Sequence, residues 1–222
     1  MGTVKDKAPA AIKINEIFFS IQGESSWAGL PTVFVRTSGC HLRCTYCDTT
    51  YAYHEGEMMS LDQIITRVQS FPASYVCVTG GEPLLQPGSF ELMRRLCNLN
   101  YHVSLETSGD KSCAAVDLRV KKIIDVKTPD SGEPGRFDRA NLRFADHMTE
   151  FKFVIASEKD FTWSETFARE NNLFEKSNVL YSPSFKNAGE QWLAEKILGS
   201  SSKARLQLQL HKYIWPSDAR GV

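Results

Sequence analysis

The stretch "PTVFVRTSGCHLRCTYCDTT", residues 31–50, opens as a strand and closes as a loop carrying Cys40, Cys44 and Cys47. Its first part, PTVFVRTS, is a β-branched and aromatic run of strand length. Similar runs recur at YVCVTG (75–80), HVSLETS (102–108), KKIIDV (121–126), TEFKFVI (149–155), NVLYSP (178–183) and RLQLQL (205–210). Helical spacing lies between them. In SLDQIITRVQS (60–70), Ser60 and Gln63 form a capping box, Met59 and Ile64 a hydrophobic staple, and Leu61, Ile64, Ile65 and Val68 share a face. FELMRRLCNL (90–99), FTWSETFARENN (161–172) and GEQWLAEKIL (189–198) also read as helices, and 128–147 as a long loop. Strands alternating with helices predict an α/β fold with a parallel sheet, open or curled into a partial barrel.

The 222 residues fit a single domain over 1–222, with 1–13 as a flexible tail. Lys+Arg and Asp+Glu balance at 26 each, which argues against a nucleic-acid or anionic-membrane partner. The N-terminus lacks an apolar signal region, and no apolar run reaches membrane-spanning length. These features predict a cytoplasmic, reducing setting, where six cysteines do not imply disulfides.

Several strands end in small or polar residues, among them Thr79-Gly80-Gly81-Glu82, Glu106-Thr107-Ser108 and Asp125-Val126-Lys127. Parallel α/β folds place their active sites at such carboxyl ends. The cysteine spacing there is C-x3-C-x2-C. Structural zinc wants four ligands, and neither His41 nor His54 gives a usual finger spacing. A [4Fe–4S] cluster also usually takes four cysteines, so three leave one iron open to an outside ligand. S-adenosylmethionine can chelate that iron through its amino and carboxylate groups, and one electron then cleaves its S–C5′ bond to give a 5′-deoxyadenosyl radical. Cys77 and Cys97 read as core thiols, and Cys113 as partly exposed.

This loop, with Tyr46 before the last cysteine, resembles the signature of the radical S-adenosylmethionine superfamily, and TGGEP (79–83) is a second mark of it. The glycines let carbonyls and Glu82 receive the ammonium of the methionine moiety. EIFFSIQGESSWAGLPTVFVRTSGCHLRCTYCDTTYA (16–52), LETSG (105–109), DVKTP (125–129) and QLHKYIW (209–215) resemble the 7-carboxy-7-deazaguanine synthase family. The resemblance implies a truncated, partial (β/α) barrel, usually dimeric. It implies a carbon–nitrogen lyase that converts 6-carboxy-5,6,7,8-tetrahydropterin to 7-carboxy-7-deazaguanine with loss of ammonia, in the queuosine and deazapurine pathway. The cofactors it implies are a [4Fe–4S] cluster, S-adenosylmethionine and Mg2+, with a flavodoxin- or ferredoxin-type electron donor.

Position by position, the family pattern gives Cys40, Cys44 and Cys47 as cluster ligands and Thr49 as a Mg2+ ligand. It gives Tyr46, Asp48 and Gly81 as contacts to S-adenosylmethionine, along with Asp125, Val126 and Lys127, which stand where the family often has Ser-Pro-Lys. Ser182 takes the place of a glutamine in the same role. Substrate contacts fall on Ile21, Gln22, Gly23, Arg36 and Thr79, and on Val222, since some members bring the chain terminus to the substrate. The fork of Arg36 suits a carboxylate. Glu106 stands at a strand end either to reach ribose or substrate, or as a structural carboxylate; His211 and Lys212 lie in the family-like HKYI run. Two other readings compete: a glycyl-radical activase of the same superfamily, which would need a protein-docking surface, and a non-catalytic metal-binding or redox module.

Overall fold

The computed structural model describes residues 11–185 and 188–222. One sheet holds β1 (Ala11–Ile21), β2 (Pro31–Thr37), β3 (Glu57–Ser60), β4 (Tyr75–Gly80), β5 (His102–Thr107), β6 (Lys121–Asp125), β7 (Thr149–Ile155), β8 (Asn178–Pro183) and β9 (Arg205–Leu206). Their order is β3-β1-β2-β4-β5-β6-β7-β8-β9. From β2 onward every pairing is parallel, whereas β1 joins β2 and β3 antiparallel. With β3 at one edge and β9 at the other the sheet stays open, which is the partial barrel expected. Among the described residues six helices accompany it: α1 (Leu61–Gln69), α2 (Gly88–Asn98), α3 (Glu158–Glu170), α4 (Leu173–Lys176), α5 (Glu190–Gly199) and α6 (His211–Ile214).

The capping box of α1 forms as read, with Ser60 accepting from the Gln63 amide and the Gln63 side chain accepting from the Ser60 amide. Three sequence readings change. Residues 1–10 of the predicted tail lie outside the described residues, and Ala11 to Lys13 are strand. β1 escapes a period-two search because its register against β2 shifts between Ile14 and Glu16, and a bulge there breaks the alternation. RLQLQL alternates like a strand, yet only Arg205–Leu206 pairs with β8. Beyond it Gln209 turns inward to donate to Glu24 and Asp48.

The two faces of the sheet differ in chemistry. Val33, Val35, Val76, Val78, Val103, Leu105, Ile124, Phe151, Phe153, Val179 and Tyr181 share one parity along their strands, and all enter one apolar core with the buried faces of α1 to α5. The opposite parity carries Arg36, Thr79, Glu106, Lys121, Asp125, Glu150, Lys152 and Ser182. Phe18, Phe34 and Cys77 form a small apolar cluster on that polar inner face, and Ile123 and Leu180 are buried on it as well. Burying so much charge is tolerated because the charges are paired. Lys121 meets Glu150 at 2.9 Å, and Lys152 meets Glu24 at 2.7 Å.

Candidate active site

The cysteine loop is built on backbone contacts. The Gly39 amide donates to Ala52 O at 2.8 Å, the Thr45 amide to Ser131 O at 2.9 Å, and the Arg43 amide to Glu133 at 2.6 Å, while Leu42 is buried as an anchor. From β4, the Gly81 amide donates to Thr37 O and the Glu82 amide to Gly39 O. A Cβ on Gly81 would lie 2.1 Å from Gly39 O, so only glycine lets the two rims cross here. Glu82 itself departs from the role expected of it. It is fully buried and accepts from the Leu84 and Ser108 amides and the Thr107 hydroxyl, so its carboxylate ties β4 to β5 rather than facing a ligand.

Cys40, Cys44 and Cys47 are free and half-buried. Burial, eased by Lys127 but reinforced by Asp125 and the other two thiols, pushes the Cys44 thiol up to about 11. No three His, Cys, Asp or Glu side chains among the described residues form a group suited to one metal ion. A cluster that takes each thiolate on a separate iron fits this donor set better than zinc. Cys77, Cys97 and Cys113 are all buried. For Cys113 this corrects the expected partial exposure, because Asn141 receives its amide and the loop folds inward.

Along the inner rim the register sets the expected binding residues side by side. Arg36 is opposite Thr79, Asp125 opposite Lys152, and Val154 opposite Ser182. Arg36 gives Nε to Glu16 at 2.7 Å, and the rings of Phe18 and Tyr51 lie 5.6 and 6.0 Å from its guanidinium carbon. Among the described residues its terminal nitrogens have no hydrogen-bond partner. The Tyr51 hydroxyl donates to the same Glu16 oxygen, and burial with the Glu16 charge, opposed by Arg36, holds that phenol up at about 12. Thr79 donates to Glu106 at 2.7 Å. One oxygen of Asp125 faces Lys127 and Lys152, whereas the other is buried without a partner, as is the Tyr46 hydroxyl. Such orphaned polar atoms suit a hydroxyl or ammonium brought by a ligand. Val126 is a correction at the side-chain level: it points into the outer core, leaving only its backbone on the rim.

The turn after β1 lies across the inner face as a cover. Gln22 accepts the Glu24 amide and keeps its side-chain NH2 buried without a partner. Ser26 donates its amide to both oxygens of Glu150, and Trp27 stands edge-on to Tyr75 at the foot of β4. Gly23 lies flat against His211, where a Cβ would fall 2.1 Å from Nδ1. Ile21 only ends the strand, opposite Pro31. The last segment folds back over the same mouth. Lys212 meets Asp48 at 2.7 Å, and Lys212 with Gln209 pulls the Asp48 carboxyl down to about 2 against the burial that would raise it. A Cβ on Gly221 would lie 3.9 Å from Glu16 Oε2 and 4.0 Å from Phe18 Cβ, so the residue before Val222 runs beside the two side chains that flank Arg36. Thr49 opens a short turn without capping it, and its hydroxyl lies 3.3 Å from Asp48 Oδ1.

Known proteins resemble this chain in sequence and in fold. The Radical SAM superfamily signature matches residues 34–126. The 7-carboxy-7-deazaguanine synthase of Chlorobaculum tepidum is 47% identical over 96% of this chain and 98% of its own. The chain belongs to the 7-carboxy-7-deazaguanine synthase family. The synthase of Koribacter versatilis is 41% identical over 95% of this chain and the full length of its own. Among solved structures, QueE from Escherichia coli shares the fold at a TM-score of 0.77, with 20% identity over 90% of this chain and 95% of that one.

Sequence reading missed the partners that hold the family residues in place: Glu16, Glu24, Tyr51, Glu150, Lys152 and Arg220. A signal was there for one of them, Lys152, and for the Lys121 that pairs with Glu150. Lys152 in TEFKFVI and Lys121 in KKIIDV are cations inside apolar runs, and both find buried carboxylates. Glu16 and Tyr51 carry no such mark, because only the bulge and the loop fold bring them to Arg36.

Proposed function

We propose that this chain is a radical enzyme that converts 6-carboxy-5,6,7,8-tetrahydropterin to 7-carboxy-7-deazaguanine with loss of ammonia. The observation that carries the reading is the 47% identity, over nearly the full length, to a 7-carboxy-7-deazaguanine synthase, in a chain whose strand β2 holds Arg36 and leads directly into the loop of the three thiols. Cys40, Cys44 and Cys47 would hold the cluster; with S-adenosylmethionine bound it supplies the carbon-centred radical. The protein's own residues bind, orient and shield. Arg36 offers two free nitrogens to the pterin carboxylate, and the unpartnered amide of Gln22 suits a ring carbonyl. Lys152 and Glu24 keep the inner face charged, and the cover of Gln22 to Trp27 excludes water from it. Tyr46, Gly81, Asp125, Lys127 and Ser182 line the cofactor side in this reading.

Thr49 gives one hydroxyl ligand to Mg2+, the remaining octahedral places falling to substrate and water, and Asp48 beside it stays on the S-adenosylmethionine side. An electron donor of flavodoxin or ferredoxin type belongs to the same reading, as does a cytoplasmic setting, the latter supported by six free cysteines. No helix among the described residues is long and apolar enough to cross a membrane. A homodimer is supported by Leu206, Tyr213 and Ile214, which stand exposed at the β9 side; sedimentation tests it. Metal analysis separates the enzyme from a metal-binding module: about four irons with sulfide per chain are expected, and one zinc without sulfide would refute the reading. Arg36→Lys should raise KM for the pterin by the equivalent of about 2–5 kcal/mol, because an ammonium cannot restore two parallel bonds.

A further inference from the structure

Arg36 is aimed by a line of contacts that ends far along the chain. Its Nε is fixed by Glu16 Oε1 at 2.7 Å. The same oxygen accepts the Tyr51 hydroxyl at 3.0 Å. The Tyr51 ring is in turn covered by the Arg220 guanidinium, whose central carbon lies 3.8 Å from the ring centroid. Arg220 is held from its other side by Glu55 at 3.1 Å, and Glu55 follows the same loop as Tyr51. A cavity of about 510 Å³ runs behind this line, with Glu16, Tyr51, Glu55 and Arg220 on its wall. Tyr51 therefore has open space on one side, and Arg220 is the group that limits its swing. Without that cover, Tyr51 can leave Glu16, and Glu16 is then free to rotate and take the Arg36 fork with it.

We infer that Arg220 is a positioning residue for substrate recognition, acting through Tyr51 and Glu16 to present the free end of Arg36 to the pterin carboxylate. The inference rests on the reading of Arg36 as the carboxylate anchor. Arg220 touches neither cluster nor cofactor residues, so its effect is confined to the substrate carboxylate. It is exposed and its ion pair with Glu55 is a surface one, which sets a modest size for the effect.

The test measures equilibrium binding to the cluster-loaded enzyme, with S-adenosylmethionine present, of two unreactive aromatic pterins: 6-carboxypterin and pterin without the carboxyl group. Arg220→Ala is expected to weaken binding of the carboxylated ligand by about five-fold and leave the other unchanged. Tyr51→Phe, which keeps the ring but removes the hydroxyl, should give a similar loss, and the double variant should lose no more than either alone. Arg36→Lys is the control. If Arg36→Lys abolishes the preference for the carboxylated pterin while Arg220→Ala leaves it intact, the positioning role is wrong and the anchor stands. If Arg36→Lys also leaves the preference intact, the anchor fails and the inference with it. Equal weakening of both pterins by Arg220→Ala, or additive losses in the double variant, would likewise overturn it.

Discussion

The sheet has two faces that obey different rules. The outer face is mainly hydrocarbon packed against five helices, with Phe151, Phe153 and Tyr181 fully buried. The inner face is covered by the turn after β1 and the short α6 segment in place of a packed helical layer, and it carries Arg36, Lys121, Lys152, Glu106, Asp125 and Glu150. Hydrophobic burial on one side supplies the folding free energy, which is what allows the other side to hold charges that contribute little net stability of their own. The lesson is a division of labour. Atoms removed from the outer face should change stability, and atoms removed from the inner rim should change binding and chemistry.

The sharpest break in that comparison is at the cysteines. Cys44→Ala is expected to abolish cluster binding and cleavage of S-adenosylmethionine, with the metal-free fold unchanged by circular dichroism, because Cys44 is half-exposed on a loop held by backbone bonds. Cys113→Ala should leave the cluster in place. Cluster loss in that variant would give the site a fourth protein ligand. Next in size, Phe153→Ala should cost about 3–5 kcal/mol in denaturant unfolding, since its ring packs against Trp163, Phe167 and Tyr181. The iron content of the remaining folded protein should not change.

A smaller effect is expected at Thr49→Ala: reduced turnover and a weakened response to added Mg2+, with iron content unaltered. Wild-type Mg2+ activation in that variant would leave the threonine as a turn residue only.

The smallest effect tests the closing segment by pH. Burial, opposed by Glu24 and Asp48 and aided by Lys212, lowers the His211 pKa below its ordinary value. Folding thus favours the neutral ring. Its contribution is present above the ordinary histidine pKa and is lost as the pH falls through the lowered one. Hydrogen exchange over residues 207–215 should therefore be faster at about pH 5 than at about pH 8, after correction for intrinsic rates. Protection that is equal at both would mean that His211 does not hold the segment.

Much of this was legible in the sequence because period and capping are local. β4, β7 and β8 run as their hydrophobic patterns indicate, and the Ser60–Gln63 box starts α1. The cysteine spacing and TGGEP also declare themselves locally. What stayed hidden depends on distant neighbours. The bulge at Ile14/Glu16 disguised β1, and RLQLQL lost its strand where Gln209 found Glu24, 185 positions away. The clasp of Asp48 by Lys212 spans 164 positions, and no short window contains both ends. Val126 was assigned with its segment, but strand parity turns its side chain to the helices.

The central claim is that the inner face and the cysteine loop together carry out one ring contraction. The direct measurement is an anaerobic incubation of cluster-loaded protein with S-adenosylmethionine, a reductant, Mg2+ and 6-carboxy-5,6,7,8-tetrahydropterin, following pterin, deazaguanine and ammonia together. The expected result is 7-carboxy-7-deazaguanine and ammonia in equal amounts to the pterin consumed, with none formed by the Cys44→Ala protein. Cleavage of S-adenosylmethionine at the same rate with or without pterin, and no deazaguanine product, would contradict it.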